Sequence, residues 1–120
     1  MSQAGAILDH AMKQTDNVLD VLKELVLLES PTYGDKAASD ACAARLRSLF
    51  ADIGCDVTML PQERCGDQVM AAFGEGDRRI MLCGHYDTVF PVGTLSSMPW
   101  KVEGGKASGP GVLDMKGGIT

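Results

Sequence analysis

Apolar residues in the first half of the chain recur at helical spacing. Those between positions 18 and 28 form one helix face, with Thr15 or Asp16 available as an N-terminal cap. This helix is predicted to end at Ser30-Pro31, because the residue before a proline is displaced from helical backbone angles. A second apolar stripe predicts another helix, with Gly54 as its C-terminal stop. The stripe comprises Cys42, Leu46, Leu49, Phe50 and Ile53.

The period then changes to that of β-strands. Residues 55–60 alternate between apolar and polar side chains, which predicts a strand. Short apolar runs follow at 69–73 and 80–83, and the glycine-containing connection 74–78 predicts a hairpin between them. A further short strand pair is expected at 101–103 and 106–108. Helices followed by strands predict an α/β fold in which helices pack on a mixed β-sheet.

The length of the chain sets the expected domain organisation. Its 120 residues suffice for one compact core and are too few for two. The sequence ends at residues 117–120, where a strand and loop would normally lead into a helix. We therefore expect residues 1–120 to be one truncated part of a larger domain. His10 is expected to be a solvent-facing residue of an irregular N-terminus.

Composition and charge exclude several classes of function. Eleven basic and 16 acidic residues give a formal net charge of -5, whereas nucleic-acid-binding surfaces carry a basic excess. No apolar run approaches the roughly 20 residues that span a bilayer. The first residues lack the basic and apolar pattern of a secretory signal. The sequence thus predicts a cytoplasmic protein that binds neither nucleic acid nor membrane.

The four cysteines contain no Cys-x-x-Cys pair, the usual mark of a structural zinc site or a redox dithiol. We expect reduced thiols, some packed in the core as small apolar side chains.

A histidine and an aspartate follow the apolar run 80–83. Because alternate residues of a strand share a face, His85 and Asp87 are expected to point in the same direction. This arrangement suits a metal-bound imidazole oriented by a carboxylate. His-x-Asp alone is a weak signal, and a surface histidine beside a turn aspartate is the alternative interpretation.

A glycine-rich stretch at 109–118 surrounds Asp114. It fits neither the Gly-x-Gly-x-x-Gly nucleotide fingerprint nor a phosphate-binding loop. One interpretation is a flexible turn with a helix-capping aspartate. The other is that the glycines allow close backbone approach and hold Asp114 rigidly as a ligand.

The two motifs together, in this order and separation, resemble those of a hydrolase family. This is the zinc-dependent co-catalytic metallopeptidase family of glutamate carboxypeptidase, aminoacylase and acetylornithine deacetylase type. The stretches 88–91, 93–94 and 99–104 also match, and the last is most similar to the glutamate carboxypeptidase branch. The resemblance covers nearly the whole chain and identifies residues 1–120 as the N-terminal portion of the family's catalytic domain. Ser108 departs from the aromatic residue that close relatives often carry.

The resemblance implies roles for three residues. His85 matches a histidine that binds one zinc, Asp87 matches the aspartate that orients it, and Asp114 matches the carboxylate that bridges two metals. Two Zn²⁺ ions are therefore implied, with Co²⁺ or Mn²⁺ as substitutes, and they activate a water for attack on an amide. The implied substrate is a peptide or N-acyl amino acid with a free carboxylate. Relatives tend to hold the bond after the bridging aspartate in the cis form, which implies a cis Asp114–Met115 bond in the metal-bound, full-length protein.

Other parts of the family's site have no counterpart in the sequence. The general base and the remaining ligands come later in relatives, but Glu103 is the last glutamate here and no histidine follows His85. The fragment alone is thus expected to be inactive, and a non-catalytic binding module is the alternative function. Relatives also carry a dimerisation domain later in the chain, which implies that the full-length protein could form a homodimer.

Competing nucleophile schemes have weaker support. Ser96-Ser97 does not lie in a Gly-x-Ser-x-Gly elbow. A Cys83–His85 pair is conceivable on one strand face, but Cys83 continues an apolar run and is predicted to be a core residue. Lys116 is interpreted either as a contact for a partner carboxylate or as a surface lysine at a helix start.

Overall fold

Three α-helices form the first half of the protein in the computed structural model, which describes residues 2–120. They are α1 (Gln3–Lys13), α2 (Thr15–Leu27) and α3 (Lys36–Asp52). None of the helices formed by the described residues has both the length and the apolar character needed to cross a membrane.

The N-terminal segment is helical, so the prediction of an irregular N-terminus was wrong. The Ser2 side chain accepts a hydrogen bond from the Gly5 amide (3.1 Å) and caps α1, where His10 is exposed. The predicted cap of α2 was also wrong. Gln14 precedes that helix without a side-chain cap bond, and the Thr15 hydroxyl donates instead to the Met12 carbonyl (2.8 Å).

Helix α3 matches the second predicted helix, with one difference at its end. It begins after Asp35, whose carboxylate accepts from the Ala38 amide (2.9 Å) as an N-cap. Gly54 follows it with a φ of 87°, a left-handed conformation that glycine adopts without a Cβ clash. Ile53 is 75% exposed and does not belong to the buried stripe, because it follows the last helical residue.

The strands form two antiparallel pairs. Strand β1 (Asp56–Leu60) pairs with β2 (Gln68–Ala72), with Thr58 opposite Met70, and β3 (Lys101–Glu103) pairs with β4 (Lys106–Ser108). The Asp67 carboxylate accepts from the Gln62 amide (3.0 Å) and closes the connection between β1 and β2. A parallel pairing occurs at an isolated bridge between Pro31 and Thr88.

The predicted strand at 80–83 and the predicted hairpin were wrong. Ile80, Met81 and Leu82 are 91%, 86% and 93% exposed, and Cys83 is also exposed rather than in the core. Strand β2 pairs with β1 instead. Apolar residues favour a strand, but a strand forms only where another strand pairs with its backbone. No backbone hydrogen bond of the described residues, 2–120, reaches 80–83.

The core lies where α2 and α3 face each other and β2. Leu25 and Cys42 have no exposed surface, and Leu46 is 5% exposed. Partly buried side chains surround this cluster, namely Val21, Leu28, Leu49, Phe50, Val69, Tyr86 and Ile119. Helices thus pack on short strands, which confirms the α/β class.

Candidate metal centre

His85 and Asp87 lie together on the extended segment that follows the exposed apolar run. The Nδ1 atom of His85 is 3.0 Å from the Asp87 carbonyl oxygen and 3.3 Å from the Asp87 Oδ1 atom. Both acceptors favour a proton on Nδ1, and a ring oriented in this way presents Nε2 on its opposite edge. A metal-bound histidine has the same orientation, with Nδ1 directed at an acceptor and Nε2 available to the metal.

Tyr86, between these two residues, fastens the segment to the core. Its ring packs against the buried cluster, and its hydroxyl donates to the Asp67 carbonyl (2.8 Å). Burial raises the pKa of this hydroxyl, so it stays protonated as a donor. Alternation then directs the side chains of His85 and Asp87 away from the core.

Asp114 reaches the same place from a tight loop that precedes a 3₁₀ turn (Lys116–Gly118). The loop folds back on itself, since the Lys116 amide donates to the Gly111 carbonyl (2.8 Å). Gly111 has a φ of 76°, and a Cβ there would lie 2.6 Å from the Thr88 Cγ2 atom. Glycine thus allows the loop to approach the segment that carries His85. The Asp114–Met115 peptide bond is cis.

The imidazole and the Asp114 carboxylate meet directly. The His85 Nε2 atom lies 2.8 Å from Asp114 Oδ1, although the two residues are 29 positions apart. The side chain of His85 is 45% exposed and that of Asp114 is 83% exposed. Hydrogen bonds to the Asp87 backbone carbonyl and to the Asp114 carboxylate raise the pKa of His85.

Both groups are accessible from one open cleft. His85, Asp87 and Asp114 lie on its wall, together with Thr32 and Thr88. Two glycines and three apolar side chains complete the lining, namely Gly109, Gly111, Val89, Phe90 and Leu113. A ligand in this cleft would contact the imidazole and the carboxylate at the same time.

A buried lysine anchors the Asp114 loop. Lys116 is 1% exposed, and its ammonium donates to the carbonyl oxygens of Leu25 (2.7 Å) and Leu28 (2.9 Å) at the end of α2. Burial lowers the pKa of this ammonium. Neither interpretation of Lys116 made from the sequence was right, because it binds backbone carbonyls inside the fold.

The donor atoms fit part of a zinc site. Histidine nitrogen and carboxylate oxygen are zinc ligands, and two ligands of a tetrahedral zinc lie about 3.4 Å apart if each bond is about 2.1 Å. The observed separation of 2.8 Å between His85 and Asp114 is shorter by about 0.6 Å. Since both side chains are exposed, small rotations would suffice. Among residues 2–120, no group of three or more metal-binding side chains occurs.

Other candidates from the sequence remain apart from this centre. No hydrogen bond among the described residues joins Cys83 to His85. The Ser96 and Ser97 hydroxyls donate to the carbonyls of Gly93 (2.7 Å) and Thr94 (3.1 Å) within their own turn.

Sequence reasoning missed Thr32, whose hydroxyl donates to the Asp87 Oδ2 atom (2.6 Å). Its neighbour Pro31 signalled only the end of a helix. A local pattern carries no sign of a partner 55 positions away.

Curated relatives cover most of this chain. It is 36% identical over 104 residues to carboxypeptidase G2 from a Pseudomonas species, a match that takes in 84% of this chain and 25% of that protein. It is 30% identical over 114 residues to a succinyl-diaminopimelate desuccinylase from Rhodopseudomonas palustris, covering 91% of this chain and 29% of the relative. An acetylornithine deacetylase from Vibrio campbellii is 32% identical over 110 residues, covering 87% and 29%.

These relatives are much longer than the chain, which spans about a quarter to three tenths of their lengths. No protein-family model matches the sequence. The names of the relatives describe hydrolytic enzymes that remove a terminal residue or an acyl group. The chain belongs to the co-catalytic metallopeptidase family of glutamate carboxypeptidase, aminoacylase and acetylornithine deacetylase type.

Proposed function

We propose that these residues form part of the active site of a metal-dependent hydrolase, which cleaves an amide bond in a peptide or N-acyl amino acid. The relatives named as a carboxypeptidase, a desuccinylase and a deacetylase support this reaction class. We further propose that residues 1–120 are the N-terminal portion of the catalytic domain and that the protein works in the cytoplasm. The remaining ligands and the general base then come from residues outside 1–120.

One observation carries the proposal. His85 Nε2 and Asp114 Oδ1 face each other at 2.8 Å on the wall of an open cleft, and Asp87 lies behind the imidazole. A surface histidine beside a turn aspartate would not need a second carboxylate from a distant loop. The arrangement places one nitrogen and one oxygen ligand where a cation would join them.

Each residue has a distinct role in this proposal. His85 would hold one Zn²⁺, and the exposed Asp114 carboxylate would be a ligand shared by the two metals. The Asp87 carbonyl accepts the Nδ1 proton at 3.0 Å and orients the ring, and the Asp87 carboxylate, 3.3 Å from the same nitrogen, raises the basicity of the ring as a ligand. Co²⁺ or Mn²⁺ would accept the same donors. When bound, the metal supplies Lewis acidity that polarises the amide carbonyl and lowers the pKa of water.

The apolar part of the cleft bears on the substrate. Val89, Phe90 and Leu113 line it beside the polar centre, and Val89 and Leu113 are 89% and 94% exposed. Such a surface suits the uncharged amide portion of a substrate near the metal.

The test uses the full-length protein that carries these residues. Wild-type protein should contain zinc and hydrolyse members of a panel of N-acyl amino acids and short peptides. Asp114→Ala should lose nearly all turnover and most zinc, because the substitution removes a ligand from both metals. Asp77→Ala is the matched control, since Asp77 is also exposed and lies outside the cleft.

Two results would contradict the proposal. Normal zinc content and turnover in Asp114→Ala would show that Asp114 is not a metal ligand. A folded wild-type protein that binds no zinc and hydrolyses no member of the panel would favour the alternative, a non-catalytic binding module.

A further inference from the structure

A short segment after helix α2 runs beside the segment that carries the metal-binding motif. The Thr32 amide donates to the Thr88 carbonyl (2.9 Å), and the Thr88 amide donates to the Ser30 carbonyl (2.8 Å). The Ser30 hydroxyl adds a bond to the Tyr86 carbonyl (2.7 Å). Ser30 and Thr88 are 1% and 6% exposed, so water does not compete for these bonds. The backbone around Asp87 is thereby held against residues 30–32.

The Thr32 side chain extends this contact to the Asp87 carboxylate. Its hydroxyl oxygen lies 2.6 Å from Asp87 Oδ2 and 3.2 Å from the Thr88 carbonyl oxygen. A hydroxyl has a single proton to donate, and the shorter contact to the charged acceptor is the stronger one. Thr32 therefore binds one carboxylate oxygen while the other faces His85 at 3.3 Å.

We propose that Thr32 is a positioning residue for the metal centre, which acts on His85 only through Asp87. This inference rests on the proposed function, since it assigns a task to the pair His85–Asp87 within that site. With Oδ2 held by Thr32, the carboxylate cannot rotate freely, and Oδ1 stays directed at Nδ1 of the imidazole. The Asp87 carbonyl binds Nδ1 at 3.0 Å, and the negative charge beside that nitrogen, which raises the affinity of Nε2 for a metal, then depends on a hydroxyl that binds no metal itself.

The chain offers a matched set of substitutions. Thr32→Val keeps the shape of the side chain and removes the donor, whereas Thr32→Ser keeps the hydroxyl and removes a methyl group. Thr58→Val makes the same chemical change at an exposed position of β1 that does not line the cleft. All variants are made in the full-length protein, and zinc affinity is measured by competition with a chelator.

Thr32→Val should weaken zinc binding by about threefold to tenfold. Loss of a group that contacts a metal ligand directly typically weakens binding by about 10- to 100-fold, and the effect of Thr32 should be smaller because it acts through Asp87. Thr32→Ser should recover most of this loss, and Thr58→Val should match the wild type. Thermal unfolding of the metal-free proteins provides a second measurement. If Thr32→Val loses more free energy of zinc binding than free energy of unfolding, Thr32 positions the metal centre rather than only stabilising the fold.

The decisive measurement is a double-mutant cycle with Asp87→Asn. If Thr32 acts through Asp87, Thr32→Val should weaken zinc binding no further once Asp87 is Asn. Equal losses from Thr32→Val in both backgrounds would overturn the inference, as would wild-type affinity in Thr32→Val itself.

His85→Ala distinguishes this failure from that of the proposed function. If His85→Ala loses zinc while Thr32→Val does not, only the role of Thr32 is wrong. If His85→Ala retains zinc and turnover, the metal centre itself is wrong.

Discussion

The ammonium nitrogen of Lys116 lies 2.7 Å from the backbone carbonyl oxygen of Leu25, 91 positions earlier in the chain. The last carbonyls of a helix have no partner within the helix, and Lys116 satisfies two of those at the end of α2 by binding Leu28 as well (2.9 Å). A cation at this end also interacts favourably with the helix dipole. The loop that carries Asp114 is thus attached to the core through Lys116, two residues after Asp114.

Lys116→Met should destabilise the protein by about 1–3 kcal/mol, because it leaves two buried carbonyl oxygens without their donor. Urea unfolding measures the change. Lys23→Met is the control, since Lys23 lies exposed on α2. Equal losses of stability in the two variants would show that the Lys116 bonds contribute nothing specific.

Asp87→Asn should lower zinc affinity by roughly 10- to 100-fold, because the imidazole of His85 loses the negative charge 3.3 Å from its Nδ1 atom. Metal titration and kinetics of the full-length protein check this. The free energy of unfolding should change by less than the free energy of zinc binding, since the side chain of Asp87 is 35% exposed. A silent substitution would show that Asp87 is only a turn residue.

Gly66→Ala should destabilise the protein by about 1–3 kcal/mol through overpacking. A Cβ at this position would overlap the Tyr86 hydroxyl and lie 2.7 Å from the Ser39 Cβ atom. Tyr86→Phe removes the overlapping oxygen, so Gly66→Ala should cost less in that background. Chemical unfolding of the four proteins measures the coupling. An identical cost in both backgrounds would contradict the packing that the structure shows.

Glu29 should make stability depend on pH in the acid range. Hydrogen bonds from the amides of Gly93 (2.8 Å) and Leu95 (2.9 Å) lower the pKa of its carboxyl group below 4.5. Because the folded pKa is lowered, the stabilisation is fully present above pH 4.5 and is lost as pH falls through the folded value.

Glu29→Gln should therefore unfold more readily than the wild type at neutral pH, and the difference should shrink toward acid pH. Thermal unfolding across the acid range measures this. A difference that is constant with pH would show that the charge of Glu29 is not involved.

Local patterns were sufficient for much of the fold. The apolar spacing of α2 and α3 and the alternation of β1 are properties of neighbouring residues, and the structure has these elements. The run at 80–83 also favours a strand, yet strand formation needs backbone partners that no local pattern supplies. The antiparallel pairing of β1 with β2 likewise depended on the connection that Asp67 closes.

The sequence by itself also marked His85, Asp87 and Asp114, because their residue types and spacing suit metal ligands and resemble a known family. Their meeting in space depends on contacts between distant positions, which only the tertiary structure decided. The bridge of residues 30–32 to Thr88, the Thr32 bond to Asp87 and the burial of Lys116 join residues 55 to 91 positions apart. A short-range pattern records the preferences of neighbours, whereas such bonds form only after packing has excluded water and fixed both partners.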